Sequence, residues 1–415
     1  MENRQVVFGE NAGLADYVAR IESARVYEVA RVTSLDRMRR LSDRLGANVY
    51  LKREDTQEVH SFKIRGAYNK MCRLSAEERA RGVLAASAGN HAQGVALSAK
   101  VLGVSATVVM PETTPQIKVD AVTSSGAGVV LHGETYSDAA TEAERLVAEK
   151  GLVFIPPYDD PDVIAGQGTV AKEILTQCPE VDSIFVPIGG GGFAAGVAAY
   201  VKGVKPSVKV YGVEPVDSDC MARSIEAGYP VTVEHPGLFA DGVCVRRPGD
   251  EAFRICRACL DGIVRVTMSE ICEATQDIFE ATRSVCEPAG ALALAALKKT
   301  VTHGERAVAI VSGANLNFSN LCFISLDAAF ARIKDEVLAD KRIDLDEARR
   351  LLRILNETFT PVGPCARLIG ILRGTVDAGE VSAVRSQEIA QAIDEALNLR
   401  VRTAEDRRLL MGWWA

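Results

Sequence analysis

The chain has 415 residues, 47% hydrophobic and 25% charged, with a net charge of -7, the composition of a globular protein large enough for two or three domains. The acidic balance and the lack of any basic block exclude a nucleic-acid footprint, and no apolar run is long enough to span a bilayer. The first five residues lack the apolar core of a signal peptide, so a cytoplasmic protein is expected and its ten cysteines are read as free thiols.

Leu14, Val18 and Ile21, then Leu35, Met38, Leu41 and Leu45, lie at helical spacing and predict helix over 12–45. A strand follows at 47–52. Strands are predicted at 83–86, 106–110, 129–131, 153–155, 183–187, 208–213, 263–266 and 307–311. Helices at 92–102, 115–125 and 137–150 alternate with the first of these. The strands are near-continuous in Val, Ile and Ala, which marks strands covered on both faces. Strand–helix–strand repetition implies parallel sheets with right-handed crossovers. Near residue 320 the pattern breaks. Charged amphipathic helices are predicted at 325–338 and 345–356, with Asp344 as N-cap of the second. A turn is predicted at 360–364, and the rest reads as polar helix ending at Trp413 and Trp414.

Lys63 lies in Ser61-Phe62-Lys63-Ile64-Arg65-Gly66-Ala67, just past the strand at 47–52. A lysine between aromatic and aliphatic neighbours, where a strand hands over to a helix, is partly desolvated. Desolvation disfavours the ammonium and leaves an amine usable as nucleophile or base. Far downstream, Gly189, Gly190, Gly191 and Gly192 close an apolar strand and open a small-residue helix. Convergent N–H groups with a helix dipole behind them form a phosphate cradle. An amine able to form a Schiff base, paired with a phosphate site, suggests pyridoxal phosphate. The tetrad also fits a dinucleotide fingerprint: Gly190, Gly192 and Ala195 satisfy G-x-G-x-x-A, and Glu214 ends a strand about 20 residues on.

Ala86-Ser87-Ala88-Gly89-Asn90-His91-Ala92-Gln93-Gly94 follows another strand and starts a helix. Ser87, Asn90 and the free N–H groups there could clamp a carboxylate; ordinary N-capping is the competing reading. His91 alone reads as structural. Ser312 stands at the carboxyl end of the strand 307–311, where parallel sheets bind ligands. Glu287 opens a helix and reads equally as a first-turn acid complementing the dipole. Cys256 and Cys259 form one C-x-x-C with no second ligand pair nearby; they are read as helix packing, and no metal is expected.

Together with Lys52-Arg53-Glu54-Asp55, Glu287-Pro288-Ala289-Gly290-Ala291 and Ser312-Gly313-Ala314-Asn315, these segments resemble the fold-type II (tryptophan synthase β-like) pyridoxal-phosphate enzymes. Within them, the similarity is to the threonine dehydratase and serine racemase/dehydratase group, over residues 15–320. The resemblance implies an α/β fold of two parallel-sheet domains with the cofactor between them. Residues 1–50 and 155–322 would form the large domain, 51–154 the small one, and 323–415 a mostly helical extension. Lys63 would be the Schiff-base lysine and the base at Cα, with Phe62 packed beside the cofactor ring. Asn90 would meet the phenolic oxygen, Gly189 to Gly192 the phosphate, and Ser312 the pyridine nitrogen. Gly242 and Glu287 would lie near the cofactor. Ser87, Gly89, Asn90 and His91 would seat the substrate carboxylate. The implied reaction is β-elimination from L-threonine or L-serine to a 2-oxo acid and ammonia; β-replacement or a specialised ammonia-lyase is the alternative. A homo-oligomer acting on a small amino acid is expected.

Four departures refine this. Racemising relatives usually carry a serine where this chain has Ala88, and alanine cannot serve as the acid on the opposite face, so a lyase is favoured. The segment from Glu214 to Asp219 is one residue shorter than in cation-binding members, and its acids are read as solvated. The tail lacks the strand pattern of a regulatory ACT-like domain, so isoleucine feedback is not expected. Arg31-Val32-Thr33-Ser34-Leu35 stands where relatives usually have Thr-Pro-Leu. A non-catalytic binding protein on the same fold is the third reading.

Overall fold

The computed structural model describes residues 11–317, 320–321, 324–325, 327–328, 343–358 and 364–398. The chain divides after Leu316 into two compact units. The first contains two sheets. Strands β1 (Leu35–Arg37), β2 (Asn48–Arg53), β7 (Ser183–Pro187), β8 (Lys209–Pro215), β9 (Gly262–Val266) and β10 (Arg306–Val311) form a six-stranded sheet of order β1-β2-β10-β7-β8-β9. Only β1 runs antiparallel. Strands β3 (Val83–Ala86), β4 (Ala106–Met110), β5 (Gly128–Leu131) and β6 (Val153–Phe154) form an all-parallel sheet of order β5-β4-β3-β6. Both sheets bury both faces, as the unbroken apolar runs require. Val308 and Ile310 of β10 enter a core with helices Pro161–Gln177 and Gly192–Val204, while Ala307, Ala309 and Val311 enter another with Pro288–Thr300. In the smaller sheet Val83 and Ala85 face one core, Leu84 and Ala86 the other.

The continuous helix expected over 12–45 is not formed. Helix runs over Asn11–Glu22 and again over Arg39–Leu45, with the edge strand β1 between them. The intervening apolar residues serve tertiary contacts instead. Val26 and Ala30 pack with Val59, Ile64 and Leu97. The backbone of Arg31 exchanges two hydrogen bonds with the Gln57 side chain, and the Thr33 hydroxyl donates to Glu54. Three helices in the second unit, Leu345–Thr358, Pro364–Ala378 and Ala383–Asn398, share a core of Leu351, Leu368, Leu372 and Ile389. The Asp344 carboxylate caps the first by accepting the N–H of Glu347, and its own N–H donates to the Glu347 carboxylate. Most of the helix expected at 325–338, the turn from 360 and both terminal tryptophans lie outside the described residues.

Candidate active site

Lys63 is the first residue of the helix Lys63–Met71. Three backbone pairings place it. The N–H of Phe62 donates to the Ser312 carbonyl, the N–H of Ala314 donates to His60, and Ser61 bridges Gly313. The carboxyl end of β10 is thereby laced to the residues just before the lysine. Lys63 is half-buried, and its amine donates to the Pro157 carbonyl at 2.7 Å. Burial pushes its pKa down to about 8, against the nearby Glu287 carboxylate, which favours the charged form. The direction of this shift agrees with the partial desolvation expected from its neighbours. Phe62 stacks on Phe193 with ring centroids 3.9 Å apart.

Asn90 begins the helix Asn90–Leu102, whose N-terminus has no side-chain cap. The Ser87 hydroxyl accepts from Gly89 N–H, and the N–H groups of Asn90, His91 and Ala92 have no acceptor among the described residues. The capping alternative is thus not realised. The Asn90 amide instead donates to Glu287 at 2.7 Å and accepts from Asn315 at 2.6 Å. Glu287 likewise leaves its own helix uncapped. Burial, reinforced by Asp241, pushes its carboxyl up to about 7, against the Asn90 hydrogen bond. Gly242 lies in the same corner: a β-carbon there would come 3.4 Å from Glu287. The Ser312 hydroxyl is buried and donates to the Ala289 carbonyl at 3.3 Å.

His91 faces the backbone rather than the loop it belongs to. Its Nε2 lies 2.8 Å from the Ile155 carbonyl, so that nitrogen carries the proton. Burial, with help from the Lys63 charge, pushes its pKa to about 3, and the ring is neutral.

The tetraglycine loop runs from β7 to the helix Gly192–Val204. Gly191 takes a left-handed conformation at φ 97°, which favours glycine. The N–H groups of Gly190, Gly191, Gly192, Phe193 and Ala194 have no acceptor among the described residues. Such a cluster of unmet donors at a helix start has the chemistry to hold an anion. Close approach also demands glycine: a β-carbon at Gly190 would overlap the Tyr158 ring, and one at Gly192 the Tyr158 carbonyl.

The segment from Ile155 to Asp159, not singled out in the sequence, joins the site's parts. Ile155 receives His91, Pro157 receives Lys63, Tyr158 lies on Gly190, and Asp159 accepts the N–H groups of Asp250 and Ala252. Its only sequence signal is the prolines at 156 and 157 after a strand.

Glu214 and Asp219 are not solvated as expected. Glu214 is buried and accepts the N–H groups of Met221 and Ala222; Asp219 pairs with Arg223 and Arg265. Turned inward, the Glu214 carboxylate is not presented to a ribose, which removes the acid a dinucleotide site needs. Cys256 and Cys259 pack in the core on the helix Asp250–Cys259.

Residues 26–313 match the family model for pyridoxal-phosphate dependent enzymes. The chain is 54% identical over 315 residues to the biosynthetic L-threonine dehydratase IlvA of Pasteurella multocida, covering 75% of this chain and 61% of that protein. It is 50% identical over 338 residues to the chloroplastic biosynthetic threonine dehydratase of Arabidopsis thaliana, covering 80% and 57%. The chain thus spans less than two thirds of the length of these relatives. The processed form of threonine deaminase isoform 2 from Solanum lycopersicum superposes with a TM-score of 0.76 at 45% identity, covering 77% of this chain and 89% of that one. Maize serine racemase superposes at 0.70 with 31% identity, covering 77% and 98%.

Proposed function

This chain belongs to the pyridoxal-phosphate dependent enzymes, and on that premise we propose that it eliminates the β-hydroxyl of L-threonine or L-serine, releasing a 2-oxo acid and ammonia. One observation carries the reading: a half-buried amine of lowered pKa bonded to Pro157, whose neighbour Tyr158 backs a loop of unmet N–H donors. The residues fit the cofactor: an amine for its aldehyde, the N–H cluster for its phosphate, and the Ser312 hydroxyl at the strand end. When bound, pyridoxal phosphate supplies an electron sink for the carbanion at Cα.

The protein's own part follows from the geometry. Lys63 would hold the aldehyde and, when free, would take the Cα proton; burial lowers its pKa to about 8, so a far larger share of the amine is unprotonated near neutral pH than for a solvated lysine. The open N–H groups of Asn90, His91 and Ala92, with Ser87 and Gly89, hold the substrate carboxylate. Neutral His91 positions that turn through Ile155. Asn90 and Asn315 hold Glu287, and Ser312 offers a hydroxyl in place of a carboxylate, a mild partner that suits elimination. Ala88 offers no acid on the opposite face. Loss of water yields an enamine, which becomes an imine and takes water back to give the 2-oxo acid and ammonia. The same reading extends to a large and a small domain embracing the site and to a cytoplasmic homo-oligomer.

The decisive experiment incubates the purified protein with L-threonine and separately with L-serine. Stoichiometric 2-oxobutanoate or pyruvate with ammonia is expected. Product only on adding a thiol or other nucleophile would establish β-replacement instead, and D-serine would establish racemisation.

Capture of the cofactor is expected to depend on pH with a known sign. The amine reacts only when unprotonated, so the rate should rise as pH rises through about 8. Stopped-flow absorbance of apoprotein mixed with pyridoxal phosphate measures it. A midpoint near the ordinary value of 10.5 would show a solvated lysine.

Gly192→Ala should weaken cofactor binding about tenfold or more, since relieving the overlap with Tyr158 moves N–H donors worth about 1 kcal/mol each. Equilibrium dialysis reads the change, and unchanged affinity would remove the loop from the phosphate site.

A further inference from the structure

Two buried thiols end on the tetraglycine loop. Cys220, the first residue of the helix Cys220–Ala227, places Sγ 3.8 Å from the Gly189 carbonyl. Cys256 places Sγ 3.7 Å from the Gly191 carbonyl. Between them the Gly190 carbonyl accepts the N–H of Gly249 at 3.0 Å, and Gly191 also accepts from Ala195 at 2.8 Å. All three loop carbonyls are therefore engaged. A trans peptide directs its carbonyl and the following N–H to opposite sides, and no cis peptide is present among the described residues. Holding the carbonyls of Gly189, Gly190 and Gly191 turns the N–H groups of Gly190, Gly191 and Gly192 the other way. These are the groups left without acceptors.

We propose that Cys220 and Cys256 are positioning residues for the phosphate end of the cofactor, their S–H groups fixing the two outer carbonyls so that the loop's N–H donors face the anion. The inference rests on the cofactor reading of this loop. Consecutive glycines carry no Cβ restraint, and their peptide units turn readily unless held. A thiol is a weak donor but a fixed one here, because both sulfurs sit on helices packed in the core. Both also stay protonated: burial pushes Cys220 up to about 12 and Cys256 well above its ordinary value. A protonated thiol remains a donor and adds no charge to repel a phosphate. The role also separates Cys256 from its C-x-x-C neighbour Cys259, which only packs.

The test titrates full-length apoprotein with pyridoxal phosphate and, separately, with pyridoxal, which has the same ring and aldehyde but no phosphate. Valine keeps the thiol's bulk without a donor, and serine keeps a donor. Cys220→Val and Cys256→Val should each weaken pyridoxal phosphate about fivefold and leave pyridoxal unchanged, and the serine variants should stay within about twofold of wild type. The ³¹P resonance of the bound cofactor should shift in the valine variants alone. Equal losses for both ligands, or serine behaving as valine does, would reduce the thiols to packing and overturn the proposal. If Cys256→Val fails to fold by circular dichroism, the Cys220 pair decides by the same criteria. Wild-type apoprotein binding pyridoxal phosphate no better than pyridoxal would overturn the phosphate site itself, and this proposal with it. Turnover of threonine is a separate readout, so its loss or retention tests the reaction and not the thiols.

Discussion

Lys63→Ala is expected to lower 2-oxo acid release about 10⁴-fold or more, because in the proposed reaction one amine would serve both as covalent anchor and as the base at Cα. The fold should survive. The amine's single hydrogen bond goes to the Pro157 carbonyl, and its lowered pKa reports a burial that already disfavours the charge. Removing it leaves one carbonyl to be met by water and relieves that desolvation. Turnover measured beside circular dichroism and thermal unfolding separates chemistry from folding. Partial recovery with added methylamine would ascribe the loss to the missing amine. A fall of less than about tenfold in a folded, cofactor-loaded variant would sink the assignment of Lys63.

The second large effect lies two residues further along the same helix. Arg65 is fully buried and bonded to Glu54 at 2.7 Å, Glu173 at 2.6 Å, the Thr169 hydroxyl and the Arg31 carbonyl. Lys52 completes the group, 2.6 Å from Glu173. Two cations and two carboxylates thus share one site without solvent. Burial disfavours the Glu54 carboxylate, but Arg65 outweighs it and holds the carboxyl below its usual range. Arg65→Leu strands that charge, and an uncompensated buried charge costs about 3–5 kcal/mol. Urea unfolding at neutral pH should show a loss of that size. The double variant Arg65→Leu with Glu54→Leu should recover part of it, the Lys52–Glu173 pair remaining. Because the Glu54 pKa is depressed by folding, its share is present above the unfolded value of about 4.3 and is lost as pH falls below it. A loss under about 1 kcal/mol would mean that the network contributes little to stability. Activity should fall as well, since this ion group sets the helix that presents Lys63.

Much of this protein was open to reading in one dimension. Unbroken runs of Val, Ile and Ala marked strands buried on both faces, and the strands observed other than β1 overlap the stretches expected. Lys63, the tetraglycine loop, Asn90, Glu287 and Ser312 could be put forward as candidates by residue type at a strand or helix end, because backbone donors and strand termini are local features. The helix expected over 12–45 failed for the opposite reason. Its apolar spacing was real, but Val26 and Ala30 were placed for contacts with Val59 and Ile64, and β1 for pairing with β2. Periodicity records where apolar groups lie, not which partner buries them.

What the chain alone determined was the inventory: two largely parallel sheets, an amine, a tetraglycine loop and a helical tail. Only tertiary structure decided how the inventory works. It turned Asn90 to Glu287 instead of capping its own helix, buried Glu214 against a helix start, brought Ile155, Pro157 and Tyr158 into the centre, and set Arg65 among carboxylates from distant segments. Each of these depends on desolvation and on partners distant in the chain, and both come into being only when the chain folds.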